Sequence, residues 1–446
     1  MMKKILLFGA GKSATILIEY LIKESVKNNW RLIVCDADIA LAKSKTGNAE
    51  NAEAVSINVE DETVRKKLVH SADIVISMLP AALHFLIAKD CVEFGKNLLT
   101  ASYVDENIKS LEKEITEKKL LFLCEMGLDP GIDHMSAMKL INSIKEKDGK
   151  ITSFISHCGG LIAPESDNNP WHYKITWNAR NIVLAGKDGA EYIKDDQRIK
   201  VPYRSVFRNC SLVNVIDNYL LCWYPNRDSL HYIDLYNLHG IKTFIRTTLR
   251  HPAFCRGWSK LVSMGFTATD DYEKIKDCKT YEDWYQVKIK PYTSSDRDWN
   301  NYLHMYITDP YKDEFTKQML FISLPNKGAL PGNFKCSADI LQNLLEEKFA
   351  MKPDDKDMIV MLHELQYEVR DKKYEVRSSL IVKGDDSLKT AMAKTVGLPL
   401  GIVTKLILQG KIKTIGLHIP LITEIYEPVL KELEDNGIVF NERSSQ

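Results

Sequence analysis

The sequence predicts an α/β protein organised around a doubly wound parallel sheet, and three features of its first part indicate this class. A short apolar segment leads directly into a glycine-rich turn, strand-like and helix-like segments then alternate, and several strand-like segments end in small or polar residues. Strands joined by helix-length connections pair in parallel, and ligands of such sheets lie beyond the carboxyl ends of the strands. We therefore expect a ligand crevice at that edge of the sheet.

The first strand and its turn are encoded by KKILLFGAGKSA at residues 3–14, which contains the pattern G-x-G-x-x-A. Gly9 permits a tight turn, Gly11 lets the backbone approach a pyrophosphate because it lacks a Cβ, and Ala14 is small enough for helix and strand to pack. The next helix presents unpaired N–H groups and the positive end of its dipole to the phosphates. We predict a Rossmann dinucleotide site with contacts from Gly9, Ala10, Gly11, Lys12, Ser13 and Ala14.

A carboxylate stands at the end of the second predicted strand, where Arg31 to Cys35 is followed by Asp36. This position suits a carboxylate that accepts hydrogen bonds from the two hydroxyls of an adenosine ribose, and it would repel a 2′-phosphate. The alternative is that Asp36 caps a helix in an unrelated α/β turn. Because turn, strand and acid occur in the expected order, we expect NAD as the cofactor and favour NADP less.

The other elements of this region follow the same alternation. We predict strands at 53–57, 73–80, 96–100 and 120–124, and helices at 61–69, 83–94 and 104–118. Leu79, Ser102 and Tyr103 follow the carboxyl ends of two of these strands, and the loop 126–131 follows a third. We expect these segments to surround one crevice.

The pattern changes at about residue 150, which predicts a second α/β region. We predict strands at 151–157, 182–185, 219–224, 242–248, 357–363 and 374–382, with the last two in the sheet of the others. The stretch 255–350, with Trp258, Trp284 and Trp299, is predicted to be mainly helical. Helices at 390–400, 401–408 and 427–436 and a strand at 437–440 form a tail that we expect to complete the first domain.

Composition argues against several classes of function. The 60 basic residues balance 60 acidic ones, so we expect neither a nucleic-acid nor a membrane surface, and no apolar run approaches the roughly 18 residues of a membrane span. The nine cysteines contain no C-x-x-C pair and the histidines are scattered, so we expect free thiols and no metal site. The N-terminus lacks the cleavage region of a signal peptide, and we expect a cytoplasmic enzyme.

The densest group of polar residues is GLDPGIDH at 127–134. Pro130 and the glycine after it place Asp129 on a rigid turn at the start of a helix, which suits a functional carboxylate. The alternative is structural: Asp129 caps the helix and Asp133 adds a charge that favours its dipole. We keep both interpretations for Asp129, and the structural one has at least equal weight for Asp133 and His134.

Three further residues are candidates in the second region. Cys158 ends a predicted strand at a Gly-Gly turn, although a single cysteine is more often a small buried hydrophobic residue. Arg246 and Arg250 lie in or just after the predicted strand 242–248, and arginine suits bidentate binding of a carboxylate. Most arginines are solvated surface charges, and the residues alone do not choose between these two.

Several motifs, in one order along the chain, resemble those of a known family. They lie at 75–80, 100–103, 125–134, 158–161, 163–165, 224–229, 356–361, 391–399, 425–428 and 437–441. The chain is similar to the glutamate-forming saccharopine dehydrogenases, also called saccharopine reductases, and to the dehydrogenase half of the aminoadipic semialdehyde synthases. The similarity covers nearly the whole chain.

The resemblance implies an activity in lysine metabolism. With a nicotinamide cofactor, such an enzyme oxidises the secondary amine of saccharopine to an imine, whose hydrolysis gives glutamate and α-aminoadipate semialdehyde; the reverse reaction condenses and reduces them. The resemblance also implies a homodimer. It further implies three regions: a dinucleotide-binding domain (1–126 and 388–446), a substrate-binding and dimerisation domain (127–254 and 351–387), and a helical insertion (255–350).

The resemblance implies site residues as well. The implied cofactor contacts are the Gly9–Ala14 turn, Asp36, Leu79, Tyr103, Val104 and Asp105. The implied substrate contacts are Ser102, Tyr103, Asp129 and Arg250, and more loosely Tyr272. Asp129 would bind the amine by charge, Tyr103 or Cys158 would position the attacking water, and Arg250 would hold a carboxylate. Because the family has no single indispensable acid–base residue, orientation beside the nicotinamide is the expected main contribution.

Two alternatives remain open at the level of the sequence. One is an enzyme like carboxynorspermidine dehydrogenase, which performs similar imine chemistry on a polyamine and should carry acidic groups at the position of Arg250. The other is a non-catalytic NAD-binding scaffold on the same fold. The main hypothesis requires the nucleotide crevice and Arg250 to converge on one pocket.

Overall fold

The computed structural model describes residues 2–208, 210–216, 219–290, 311–324 and 326–445. The chain divides into two compact units. The first comprises residues 1–151, 235–238 and 363–446, and the second comprises 152–234 and 239–362. Each unit therefore combines segments that are far apart in the sequence.

The strands and helices have the following bounds. The strands are β1 (Lys4–Phe8), β2 (Arg31–Asp36), β3 (Ala52–Ser56), β4 (Ile74–Ser77), β5 (Asn97–Thr100), β6 (Leu121–Leu123), β7 (Lys150–Ile162), β8 (Ala190–Lys194), β9 (Gln197–Val201), β10 (Ser211–Ile216), β11 (Tyr219–Pro225), β12 (Arg227–Asp228), β13 (Thr243–Arg250), β14 (Asp357–Val369), β15 (Lys372–Lys383), β16 (Gly416–His418) and β17 (Phe440–Ser445). The helices are α1 (Thr15–Asn28), α2 (Ile39–Thr46), α3 (Glu62–Ser71), α4 (His84–Phe94), α5 (Glu106–Lys109), α6 (Glu112–Glu117), α7 (Ile132–Lys145), α8 (Ala179–Val183), α9 (Tyr203–Val206), α10 (His231–Leu235), α11 (Pro252–Ser263), α12 (Tyr272–Ile275), α13 (Tyr281–Ile289), α14 (Lys312–Phe321), α15 (Ser337–Lys348), α16 (Ala391–Leu408) and α17 (Thr423–Asp435).

The first unit contains the predicted doubly wound sheet. Its strand order is β16-β6-β5-β4-β1-β2-β3, and the pairings are parallel. The chain winds outward from β1 in both directions, so the point where the order reverses lies between β1 and β4, which is where such sheets bind nucleotides. β16 comes from the C-terminal segment and adds a strand beside β6, which confirms that this segment completes the domain.

Helix α16 packs against α1 through two glycines. A Cβ on Gly397 would lie 2.8 Å from the backbone nitrogen of Leu17, and a Cβ on Gly401 would lie 2.5 Å from the ring of Tyr20. By length and composition α16 could span a membrane, but most of it is buried within this unit. The two helices predicted here are one, because this burial offsets the hydrogen bond that Pro399 removes.

In the second unit, neighbouring strands follow the order β10-β11-β13-β7-β14. β11 is antiparallel to β13 and β13 is parallel to β7, while the hairpin of β8 and β9 joins the side of β13. The second part of β14, from His363, belongs to the first unit with β15 and β17. The predicted strands near 357 and 374 therefore do share a sheet with the earlier ones.

An aromatic-rich core fills the helical side of the second unit. Trp171, Trp258 and Trp284 are fully buried in it, together with residues of α11, α13 and α15. The predicted strand at 182–185 is wrong: α8 covers most of it, because the Asn178 side chain caps that helix and Ile182 and Val183 pack into this core. Trp299 lies outside the described residues, and the three-part domain division remains a prediction.

Candidate active site

The glycine turn after β1 combines one tight contact with one open position. Gly9 has φ +97°, and a Cβ there would lie 2.8 Å from the carbonyl oxygen of Met78 after β4. A Cβ on Gly11 would meet no atom within 4 Å. Gly9 therefore holds the turn against the sheet, while the space beside Gly11 forms a cradle that a Cβ would fill. This geometry fits a dinucleotide pyrophosphate.

Asp36 at the end of β2 is bound to the backbone of this turn. Its Oδ2 accepts a hydrogen bond from the N–H of Ala10 at 2.6 Å, and its Oδ1 accepts one from the N–H of Asp38 at 2.9 Å. The carboxylate thus fixes the loop between β1 and α1 to the end of β2.

Lys45 of α2 reaches the same turn, where its Nζ donates to the carbonyl oxygen of Gly11. Burial lowers the pKa of Lys45 to about 8, against the attraction of Asp36. Within the described ranges Lys45 forms no ion pair. A cationic side chain therefore lies beside the turn.

A buried hydrogen-bonded chain links the ends of β4 and β5. Ser77 Oγ lies 2.8 Å from His84 Nδ1, and His84 Nε2 lies 2.6 Å from Ser102 Oγ. Burial lowers the pKa of His84 to about 4, so the neutral imidazole donates to one hydroxyl and accepts from the other. The sequence analysis missed His84; its position in the first turn after a strand end was the available signal.

The predicted residues after β4 and β5 are brought to one edge of the sheet, because these strands are neighbours. Leu79 and Val104 are half-buried against the same apolar cluster, and Tyr103 is half-buried beside them in sequence. The Asp105 carboxylate caps α5 by accepting from the N–H of Ile108 at 2.8 Å. Their roles in cofactor binding remain predictions.

The segment after β6 forms a tight loop beside Ser102. The N–H of Glu125 donates to the carbonyl oxygen of Ser102 at 2.9 Å, and Gly131 adopts φ +145° against the backbone of Gly127. Asp129 precedes a cis proline and is half-buried. The N–H of Gly131 donates to Asp133 Oδ1 at 2.6 Å, so Asp133 and not Asp129 serves the start of α7.

His134 lies in a second buried chain that the sequence analysis did not find. Its Nε2 lies 2.9 Å from Glu125 Oε2, and its Nδ1 lies 2.6 Å from the hydroxyl of Tyr236. Glu125 also accepts from the N–H of Val104 at 3.2 Å. Tyr236 lies far away in the sequence, so periodicity and motif spacing carried no signal for this contact.

In the second unit, Arg250 is a buried cation at the end of β13. It is 7% exposed, and its Nη1 donates to the carbonyl oxygen of Leu249 at 2.8 Å while its guanidinium lies 5.3 Å from the ring centre of Tyr173. Burial alone would lower its pKa, but Tyr224, Tyr173 and nearby thiols outweigh burial and raise it. Among the residues that the structure describes, no carboxylate pairs with Arg250, and its Nε has no hydrogen-bond acceptor.

Cys158 lies beside Arg250, but not at a turn. The predicted Gly-Gly turn is wrong, because β7 continues through Ile162. A Cβ on Gly159 would lie 2.6 Å from the carbonyl oxygen of Leu249, so the glycine allows the close approach of the two chains. Cys158 is buried and contributes to the electrostatic surroundings of Arg250.

Two more predicted residues are placed in this unit. Arg246 is buried in β13 with its guanidinium 4.1 Å from the ring centre of Tyr232. Tyr272 is 47% exposed at the start of α12, with its ring near Phe334. The predicted substrate residues are divided between the units, and their convergence on one pocket remains a prediction.

Comparisons with known proteins agree along the whole chain. Residues 5–123 match a family model described as the saccharopine dehydrogenase NADP binding domain, and residues 127–438 match one described as the saccharopine dehydrogenase C-terminal domain. The chain is 31% identical to a saccharopine dehydrogenase [NADP(+), L-glutamate-forming] of Schizosaccharomyces pombe, over 99% of both chains. It is 32% identical to an alpha-aminoadipic semialdehyde synthase of Arabidopsis thaliana, of which it spans 41% of the length.

A solved structure extends this similarity to three dimensions. The apo saccharopine dehydrogenase (L-Glu forming) of Saccharomyces cerevisiae superposes with a TM-score of 0.89 and 30% identity, over 100% of both chains. These comparisons correct the predicted cofactor, since the matching domain model and the fungal relatives are NADP-dependent, not NAD-dependent. The prediction assumed a free carboxylate at Asp36, whereas that carboxylate is bound to the backbone and a lysine lies beside the same turn.

Proposed function

This chain belongs to the saccharopine dehydrogenase family, and from that premise we propose that it is a glutamate-forming saccharopine dehydrogenase of lysine metabolism. It is an oxidoreductase that acts on a CH–NH bond. The secondary amine of saccharopine loses a proton from nitrogen and a hydride from the adjacent carbon of its lysine-derived chain. Water adds to the resulting imine carbon, and cleavage of the C–N bond releases glutamate and α-aminoadipate semialdehyde.

The cofactor that we propose is NADP. When bound, it accepts the hydride from the substrate carbon. The turn at Gly9–Ala14 and the open cradle at Gly11 hold its pyrophosphate, and Leu79 and the segment 103–105 follow the strands that flank the switch point. The ammonium of Lys45 supplies positive charge for the 2′-phosphate, whose repulsion by Asp36 is weakened because two backbone N–H groups bind that carboxylate.

The observation that carries the substrate assignment is the buried guanidinium of Arg250. A charge removed from water is costly unless an anion compensates it, and no described carboxylate of the chain does so. Saccharopine has three carboxylates, and an arginine can bind a carboxylate through two parallel hydrogen bonds. We assign this role to Arg250, with Cys158 and Tyr173 as the neighbours that shape its surroundings.

The remaining side chains orient the substrate and move its protons. The half-buried carboxylate of Asp129 attracts the substrate amine, and Ser102, fixed by neutral His84, is a hydrogen-bond donor or acceptor for a substrate carboxylate. A hydride leaves only from an unprotonated amine, so a basic group or a held water near the nitrogen takes its proton. Tyr103 and Cys158 are our candidates for positioning that water, and Tyr272 is a candidate for substrate contact.

The test is turnover of saccharopine by the purified chain with NADP⁺ and, separately, with NAD⁺, followed by the absorbance of the reduced nicotinamide. We expect glutamate and the semialdehyde as products and a higher kcat/KM with NADP⁺. Binding of NADP⁺ without turnover of saccharopine would contradict the proposal and favour a scaffold. Turnover of carboxynorspermidine instead would favour the polyamine enzyme, although Arg250 argues against a polycationic substrate.

Two features of the molecule in solution also belong to the proposal. We propose a homodimer and a cytoplasmic location, both supported by the family resemblance and the charge balance alone. Light scattering during size-exclusion chromatography measures the first, and fractionation of the source cells measures the second.

A further inference from the structure

Three cysteines of the second unit converge on one point. The sulfur atoms of Cys210, Cys222 and Cys255 all lie within 4.8 Å of one another. Cys222 is 5% exposed and Cys255 is 1% exposed, while Cys210 is half-buried beside them. The Sγ of Cys210 also donates to the carbonyl oxygen of Phe207 at 3.4 Å, which orients it toward the interior.

The fold brings these residues together from three different elements. Cys222 lies on β11 directly opposite Arg250 on β13, so their side chains are on the same face of the sheet. Cys255 is in the first turn of α11, which starts two residues after Arg250, and Cys210 immediately precedes β10. Their separations of 12 and 33 residues, from 210 to 222 and from 222 to 255, contain no C-x-x-C pattern, which is why the sequence predicted no metal site.

We propose that Cys210, Cys222 and Cys255 form a thiolate site for one zinc ion. Zinc–sulfur bonds of about 2.3 Å in a tetrahedron place the sulfur atoms about 3.8 Å apart, so the observed cluster needs displacements of only about 1 Å. Three thiolates leave the fourth position to water or to another donor. The soft sulfur ligands favour zinc over magnesium or calcium, which prefer oxygen.

The electrostatic surroundings support thiolate character. Hydrogen bonds from Cys210 and Cys255 lower the pKa of the Cys222 thiol, and the nearby guanidinium of Arg256 lowers it further. Packing of small apolar residues does not by itself require three sulfur atoms to meet at one point. A disulfide would use only two of the three and would leave the third thiol beside it.

The site has a structural consequence for Arg250. A metal bound there would link β10, β11 and the start of α11, which enclose the end of β13. It would therefore fix the strand-to-helix corner that carries the guanidinium. This role concerns the position of Arg250 and does not depend on which substrate carboxylate the arginine binds.

The test is the metal content of the full chain, purified under reducing conditions, incubated with zinc and then freed of unbound metal. We expect about one zinc per chain in the wild type and in the control Cys278→Ser, whose half-buried thiol lies outside the cluster. We expect loss of that zinc in Cys222→Ser. Replacement by Co²⁺ should give the intense sulfur-to-metal charge-transfer bands of tetrahedral thiolate coordination, and these should be absent from Cys222→Ser.

A second measurement covers a variant that folds poorly. A chelator should lower the thermal unfolding temperature of zinc-loaded wild type and of Cys278→Ser, because metal bound to the folded state stabilises it. The proposal is overturned if the reduced wild type binds no zinc, if Cys222→Ser retains it, or if mass spectrometry of the chain isolated without reductant finds a disulfide between two of the three cysteines and reduction restores no zinc binding.

Discussion

The carboxylate of Asp36 accepts a hydrogen bond from the backbone N–H of Ala10, and this contact joins the end of β2 to the glycine turn. It explains why an acidic residue at this position is compatible with an NADP-binding domain. We expect Asp36→Ala to weaken the binding of NADP and NAD by a similar factor of about ten, since one hydrogen bond to a charged group contributes about 1.5–3 kcal/mol. Calorimetric titration with each cofactor measures it.

Asp36→Asn is the matched control for this prediction. The amide retains an acceptor oxygen for Ala10 but has no negative charge, so we expect NADP affinity to be retained or increased. A selective loss of NAD affinity in Asp36→Ala would instead mean that the carboxylate binds the ribose hydroxyls.

Lys45 should determine the preference for the 2′-phosphate. We expect Lys45→Met to weaken NADP binding about tenfold, or ~1.4 kcal/mol, while NAD binding changes little. Titration with 2′,5′-ADP and with 5′-AMP measures the contribution of the phosphate without turnover. An equal loss for both nucleotides would show that Lys45 acts only on the turn through Gly11.

The same lysine gives a pH dependence. Because burial lowers the pKa of Lys45 to about 8, the free protein carries this charge below that pH and loses it above. We therefore expect the preference for 2′,5′-ADP over 5′-AMP to decrease between about pH 7 and about pH 9, with proton uptake on binding at the higher pH. Lys45→Arg should keep the preference over the whole interval, because arginine remains charged.

The two glycines of the turn should fail in different ways. A Cβ on Gly9 would approach the carbonyl oxygen of Met78 to 2.8 Å in a left-handed conformation, so we expect Gly9→Ala to destabilise the protein. A Cβ on Gly11 has free space, so Gly11→Ala should keep the wild-type unfolding temperature and lose cofactor affinity. Thermal unfolding with cofactor titration separates the two, and a Gly11→Ala protein with normal NADP affinity would contradict the assignment of the cradle.

The sequence predicted the first sheet well because each of its signals is local. The turn at Gly9–Ala14, the strand ends near Leu79 and Ser102, and the added C-terminal strand follow from periodicity, turn chemistry and resemblance. Long-range contacts were missed. Neither the use of the Asp36 carboxylate by Ala10 nor the contact of His134 with Tyr236 is visible in residue spacing, because folding brings these partners together.

Arg250 should be required for substrate affinity. We expect Arg250→Gln to raise the KM for saccharopine about a hundredfold, because a bidentate charge-assisted contact is lost, and Arg250→Lys to recover only part of it. Cofactor affinity and the free energy of unfolding should not decrease, since a buried unpaired cation is removed. Steady-state kinetics compared with the exposed control Arg204→Gln measures this, and an unchanged KM would remove Arg250 from the substrate site.

The buried chain from Glu125 through His134 to Tyr236 should contribute to stability in unequal parts. His134→Ala removes both hydrogen bonds, leaves the Glu125 carboxyl without this partner and opens a cavity, so we expect a loss of about 3 kcal/mol in the free energy of unfolding. Tyr236→Phe removes one hydroxyl and keeps the ring, so about 1 kcal/mol is expected. Urea unfolding with the exposed control His239→Ala measures both, and equal losses for His134→Ala and Tyr236→Phe would mean that the contact with Glu125 contributes little.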